Sequence, residues 1–186
     1  MLLFVGLGNP TPDSEHNRHN VGFKIIDEIN KKFSLSKQKP KFKGLLTTGN
    51  IDGEKVYAIK PLTFMNNSGI CIRELLEYFK FDAEDVIVFH DDLDVEFGKI
   101  KAKFGGSNAG HNGIASIDKF IGKDYSRVRV GIGKPKTPIE VSDYVLQNFD
   151  EDELIGIDKI SKNITESIGD LIKKNLDLFS STVNNK

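Results

Sequence analysis

Two runs, "LLFVGL" at residues 2–7 and the "VIVF" of "DVIVF" at residues 86–89, are continuously apolar. A strand with one wet face alternates apolar and polar side chains, whereas a strand covered on both faces does not, so both runs read as buried core strands. The first is stopped by the turn chemistry of "GNP". From Val21, apolar residues at Val21, Ile25, Ile29 and Phe33 keep a four-residue step while Lys24, Asp27, Glu28 and Lys31 fill the other side. That pattern predicts an amphipathic helix with Asn20 as its N-cap. "SGICIRELLEYF" reads as a second helix, and "IASIDKFI" and the stretch from Asp152 to Phe179 also carry helical patterns. After the Lys-rich loop "KQKPKFKG", the runs "LLTTGNI" and "KVYAIK" flank "DG", a strong hairpin signal. "GKIKAKF" and "YSRVRVGIG" alternate as half-exposed strands do. Strands interleaved with helices predict an α/β fold: a single-domain layered sandwich over residues 1–186, with a mixed, mostly parallel central sheet flanked by helices.

No basic, apolar-cored leader pattern and no membrane-length apolar run is present, so the expectation is a soluble, cytosolic protein. The lone cysteine, Cys71, lies in an apolar helical pattern and reads as a small buried hydrophobe rather than a nucleophile. The formal net charge of −1 hides an uneven distribution. From Phe97 to Lys136, nine Lys/Arg against two acids leave a local charge of +7, and from Thr137 onward five Lys against ten acids leave −5. The basic block is either an anion-binding surface or the wet face of alternating strands, and charge alone does not choose between them.

Five stretches at strand ends are rich in polar residues and glycine: "GLGNP", "NRHN", "FMNNSG", "HDDLD" and "GGSNAGHNG". In α/β sheets such ends gather at one crevice, where ligands bind. "GLGNP" has G-x-G without the rest of a dinucleotide fingerprint, which makes a nucleotide cofactor a weak reading.

Taken together and in this order, "VGLGNP", "RHNVG", "PLTFMNNSG", "HDDLD", "GGSNAGHNG" and "RVRVGIGKP" resemble the bacterial peptidyl-tRNA hydrolase family, over Leu3 to about Phe149. The resemblance implies hydrolysis of the ester joining a peptide to the 3′ ribose of tRNA, by a monomer without metal or organic cofactor, with the acceptor stem and 3′ end of peptidyl-tRNA as partner. At the matching positions it implies His19 as general base, Asp91 as the carboxylate steadying it, and Asn9, Phe64, Asn66 and Asn112 as contacts for the peptide and the tRNA end. Two positions depart from the family's pattern, Ser14 in place of a tyrosine and Thr11 in place of a glycine, so the loop "TPDSEHN" meets the substrate differently.

The chemistry is coherent with those residue types. Ester hydrolysis needs a water that loses a proton as it attacks, which a neutral imidazole accepts near neutral pH. A carboxylate on the other ring nitrogen fixes the tautomer, and side-chain amides donate to a developing oxyanion. No G-x-S-x-G nucleophile elbow is present. Taken singly, most of these residues have ordinary alternatives: His19 as a surface or capping residue, Asn9 as a turn residue, Asn66 as a helix cap and Phe64 as core. His16 reads as solvated and His90 as a satisfied, partly buried histidine, while His111 is balanced between supporting the site and packing its loop. Lys99, Lys101, Lys103, Arg127, Arg129 and Lys134 are candidate phosphate contacts, the three lysines sharing one face at period two. Two rival functions remain in view. One is a metallohydrolase using His16 and His19 at i, i+3 with oxygen ligands from "HDDLD"; the other is a non-catalytic RNA-binding module.

Overall fold

A computed structural model describes all 186 residues, Met1–Lys186. The strands are β1 (Leu2–Gly6), β2 (Lys39–Lys41), β3 (Gly44–Ile51), β4 (Glu54–Pro61), β5 (Val86–Asp92), β6 (Ile100–Phe104) and β7 (Ser126–Gly131). They form one sheet in the order β2-β3-β4-β1-β5-β7-β6. β4, β1, β5 and β7 run parallel, and antiparallel pairings of β3 with β4, β2 with β3 and β6 with β7 complete the two flanks. The helices are α1 (Val21–Lys32), α2 (Ser68–Phe79), α3 (Asn112–Ile121), α4 (Val141–Val145), α5 (Glu151–Glu166), α6 (Ile168–Ile172) and α7 (Leu176–Asn184).

The unbroken apolar runs are explained by their central place. In β1, Leu2 and Phe4 join a core cluster with residues of α1 and α5, while Leu3 and Val5 join a second cluster with residues of α2 and α3. β5 divides in the same way, Ile87 and Phe89 to the first cluster and Val86 and Val88 to the second. Both faces are covered along Leu2–Val5 and Val86–Phe89, so no position in these runs is left for a polar alternate, and the polar residues of β5 come only at its end. Two glycines set how closely α1 approaches. A Cβ on Gly6 would lie 2.2 Å from the Gly22 carbonyl oxygen, and one on Gly22 would lie 2.5 Å from that of Phe89. Their absence lets the start of α1 rest on the ends of β1 and β5, where the polar motifs cluster.

The "DG" signal is realised: Asp52 and Gly53 both take positive φ, 51° and 82°, as a type I′ hairpin turn requires. Two local expectations need correction. The Lys-rich loop contains the short edge strand β2, where lysines and a proline suit an unpaired edge. α4, at five residues, is too short to show a helical period in the sequence. The stretch from Asp152 to Phe179 is interrupted, with left-handed Lys174 (φ 60°) between α6 and α7. α7 lies along β6: Asn184 Oδ1 accepts from Ile100 N, its Nδ2 donates to Ile100 O (both 2.9 Å), and Ser180 Oγ accepts from Ala102 N at 2.8 Å. These side chains take the place of a further strand on that edge. No helix is long and apolar enough to cross a membrane.

Candidate active site

A 3-10 turn, Arg18–Asn20, precedes α1 and carries His19 to the end of β5. His19 Nδ1 lies 2.9 Å from both oxygens of Asp91, and both residues are buried. A third group completes the cluster, because His111 Nε2 lies 2.8 Å from Asp91 Oδ1. The partners fix the protons. His111 is the N-cap of α3, and its Nδ1 accepts from the amides of Gly113 and Ile114 at 3.1 and 3.3 Å. Its proton is therefore on Nε2 and is donated to Asp91. His19 likewise donates from Nδ1, which leaves the lone pair of Nε2 free of the carboxylate. Burial alone would raise the Asp91 carboxyl, but the charges and hydrogen bonds of His111 and His19 outweigh it and hold the group well below the usual carboxylate range.

His90 is the other buried histidine. Burial, and after it the neighbouring His111, push its imidazole from 6.5 down to about 3, so it is neutral at physiological pH. Its Nδ1 donates to the Asp91 carbonyl at 2.8 Å, while Nε2 has no partner, a correction to the expectation of a fully satisfied histidine. His16 is exposed, with Nδ1 3.0 Å from Lys24 Nζ, and does not join the cluster with His19. The His16/His19 metal pair is thereby removed. A different trio, His19, Asp91 and His111, has ligand atoms within 4.8 Å of one another. Direct hydrogen bonds already account for that spacing, and His111 Nδ1 is engaged by backbone amides.

Two cavities meet at His19. One, of about 220 Å³, is bounded by Asp91, Asn108, His111 and Asn112; the other, of about 310 Å³, by Asn9, Phe64, Met65, Asn66 and Asn112. Asn9 is tightly held. Its N–H donates to Asn20 Oδ1, its carbonyl accepts from Asn20 Nδ2, and its Oδ1 accepts from Met65 N, all at 2.9 Å. Only its Nδ2 is left for a ligand. Asn20, expected to cap α1, makes no cap bond and instead serves Asn9. Asn66 is not a cap either; Asn67 occupies the position before α2, also without a side-chain bond. Asn66 and Asn112 are exposed. Phe64 is 54% exposed and sits at φ 64°, a conformation costly for an aromatic residue, which holds its ring out of the core.

The basic residues separate. Lys99 and Lys101 are exposed, with Lys99 Nζ donating to the Asn184 carbonyl at 3.3 Å, and Lys103 is half-buried beside them. Burial and the charges of Arg129 and Arg127 lower the Lys103 ammonium's pKa. Arg129 Nε donates to Asp92 Oδ2 at 2.7 Å, so Asp92 faces the basic strand pair while Asp91 faces His19. Lys134 pairs loosely with Asp94 at 3.8 Å on the surface. Arg127 requires correction as a phosphate contact. It is 1% exposed and bonded to Asp118 Oδ1 and the Ser107 carbonyl, both at 2.9 Å, with its guanidinium 4.6 Å from the Tyr125 ring centroid. It anchors the glycine-rich loop that leads to His111. Asn20 and His111 were the site residues that sequence reasoning undervalued; the only signal was adjacency, to His19 and Asn112 respectively.

A buried imidazole, held by a carboxylate and opening on an amide-lined cleft at the ends of parallel strands, defines the class: an α/β protein with a histidine–carboxylate site at the strand ends, where such sheets bind ligands. Comparison with known proteins makes this specific. The family model described as peptidyl-tRNA hydrolase matches residues 3–186. A curated peptidyl-tRNA hydrolase of Pelagibacter ubique is 79% identical over 186 residues, all of both chains, and one of Geobacillus kaustophilus is 48% identical over 160 residues, 86% of each. The crystal structure of peptidyl-tRNA hydrolase from Acinetobacter baumannii superposes with a TM-score of 0.91 at 32% identity, covering 99% of this chain and 94% of that one. The chain belongs to the peptidyl-tRNA hydrolase family.

Proposed function

We propose that the protein hydrolyses the ester between a peptide, or an N-acylated amino acid, and the 3′ ribose of tRNA, with His19 as general base. The observation that carries this reading is the His19–Asp91 pair, whose donor geometry leaves His19 Nε2 as the basic nitrogen of a residue lining the cleft. Water bound to Nε2 gives up a proton as its oxygen attacks the ester carbonyl. Asp91 stabilises the imidazolium so formed, and His111, donating from Nε2 while backbone amides hold its Nδ1, keeps the carboxylate in place. Amide N–H groups of Asn9, Asn66 and Asn112 receive the peptide and the developing oxyanion. The imidazolium then returns its proton to the departing ribose oxygen, so the products are a peptide carboxylate and free tRNA.

The acceptor stem docks along β6 and β7, where Lys101, Lys103 and Arg129 meet phosphates, with Lys99 and Lys134 at the periphery and Phe64 offering a ring to an unstacked base. The protein acts in the cytoplasm as a single-domain monomer, recovering tRNA from peptidyl-tRNA that has left translation, as in ribosome rescue. The test compares N-acetylaminoacyl-tRNA with unblocked aminoacyl-tRNA as substrates. Rapid deacylation of the blocked form alone is expected; turnover of neither would leave an RNA-binding module. The His19–Asp91–His111 trio supports a metal-dependent reading only if exhaustive EDTA treatment abolishes the activity.

A further inference from the structure

Outside the two cavities that meet at His19 lies another of about 310 Å³, walled by Asn9 and Pro10 after β1, Phe23 of α1, Leu45 of β3, Lys60 of β4, and Leu62. Asn9 lines this cavity and the catalytic cleft alike. We infer that this cavity is a peptide subsite that receives the part of the acyl chain beyond the residue esterified to tRNA. The inference rests on the proposed hydrolysis and extends it to the substrate's other arm.

Topology separates the two arms. The sheet order places β4 and β3 on one side of β1 and β5, and β7 and β6 on the other. The cationic residues Lys101, Lys103 and Arg129 belong to the β7–β6 side. The cavity on the β4–β3 side contains two lysines, Lys24 and Lys60, offset by two acids, Glu15 and Asp27, which suits a neutral polyamide better than a phosphate chain. Phe23, Leu45 and Leu62 are only partly buried, so apolar surface remains for peptide side chains of varied sequence.

Lys60 supplies the specific contact. It is 9% exposed, yet its ammonium makes one hydrogen bond, to Asp27 Oδ1 at 2.5 Å, and otherwise faces the Phe23 ring 5.7 Å away. An ammonium has three donors, so Lys60 can keep its bond to Asp27 and still donate to peptide carbonyl oxygens entering the cavity. Asn9 is the fixed threshold between the ester and this groove, held by Asn20 and Met65.

The test measures kcat/KM for N-acetylaminoacyl-tRNA and for tripeptidyl-tRNA carrying the same esterified residue. Lys60→Met keeps the side chain's length and removes the ammonium, and Leu45→Trp narrows the groove from β3. Lys60→Met is expected to lose roughly 10- to 100-fold on the tripeptidyl substrate, the scale of a hydrogen bond to a charged group, and Leu45→Trp to lose rate on that same substrate by filling the groove, with the N-acetyl rate as internal reference. If Lys60→Met does not fold, Leu45→Trp carries the comparison. Equal losses on both substrates, or no loss on the tripeptidyl one, overturn the subsite while leaving hydrolysis intact. A wild-type protein that cleaves neither substrate overturns the hydrolytic reading itself, and the subsite with it.

Discussion

Asp91→Asn changes one atom in the most constrained part of the site. Asp91 Oδ1 accepts from both His111 Nε2 (2.8 Å) and His19 Nδ1 (2.9 Å), and Oδ2 accepts from His19 Nδ1 (2.9 Å). His111 cannot change tautomer without abandoning the amides of Gly113 and Ile114. The single oxygen of an asparagine therefore goes to His111, and its NH₂ is turned toward the N–H of His19. His19 escapes that clash by moving its proton to Nε2, where it is no longer a base for water. The loss of a hydrogen bond to a charged group is worth about 1.5–3 kcal/mol, or roughly 10- to 150-fold in rate. A wrong tautomer takes the loss toward the ~10⁴-fold known for the equivalent change in a serine-protease triad. The expected fall in the plateau of kcat/KM is thus about 10²–10⁴-fold, measured on N-acetylaminoacyl-tRNA across a pH series. Asp92→Asn, whose partner is Arg129, is expected to leave the plateau in place. A near-normal plateau for Asp91→Asn, or a large loss for Asp92→Asn instead, refutes the reasoning.

Further outcomes follow from the same geometry. Lys103→Ala is expected to weaken tRNA affinity and to flatten the slope of log affinity against log salt by about 0.9, one released counterion, in a binding titration; Arg129→Ala acts in the same direction, whereas Arg127→Ala lowers stability first, because Arg127 is buried against Asp118. Asn9→Asp keeps the acceptor for Met65 N but replaces the free Nδ2 with a carboxylate oxygen that tolerates an ammonium, so the preference for blocked over unblocked substrate narrows; unchanged discrimination in paired assays counts against this role. His90 binds a proton in the unfolded chain near 6.5 but in the folded protein only near 3, so the fold loses stability as pH falls through that window, by up to about 1.4 kcal/mol per pH unit from this group. His90→Gln is expected to flatten that part of the melting profile, and an unaltered dependence rejects the assignment.

The sequence made much of this legible where local chemistry decides structure. "LLFVGL" and "DVIVF" had to be central strands, the Asp52-Gly53 turn had to close a hairpin, and α2 occupies the segment expected of it. Less was legible where a residue's partner is distant in sequence. Arg127 and Arg129 share a face of β7, as alternation requires, but the loop at Ser107 and α3 cover Arg127, and periodicity carries no information about that cover. Asn20 looked like a cap because it precedes a helix, while its partner, Asn9, lies eleven residues earlier. The link from Asp91 to His111 depends on how the loop returns to the sheet, which no local pattern states. Phe64 was read from its motif; the positive φ that exposes it is imposed by the surrounding structure.

His19 bears the central claim, and its substitution by Ala tests it most directly. Single-turnover deacylation of N-acetylaminoacyl-tRNA and tRNA affinity are to be measured on the same preparation of His19→Ala. The rate is expected to fall by roughly 10²–10⁴-fold with affinity nearly intact, the signature of a lost general base. A rate close to wild type would contradict the account, and so would a loss arising wholly from weakened tRNA binding.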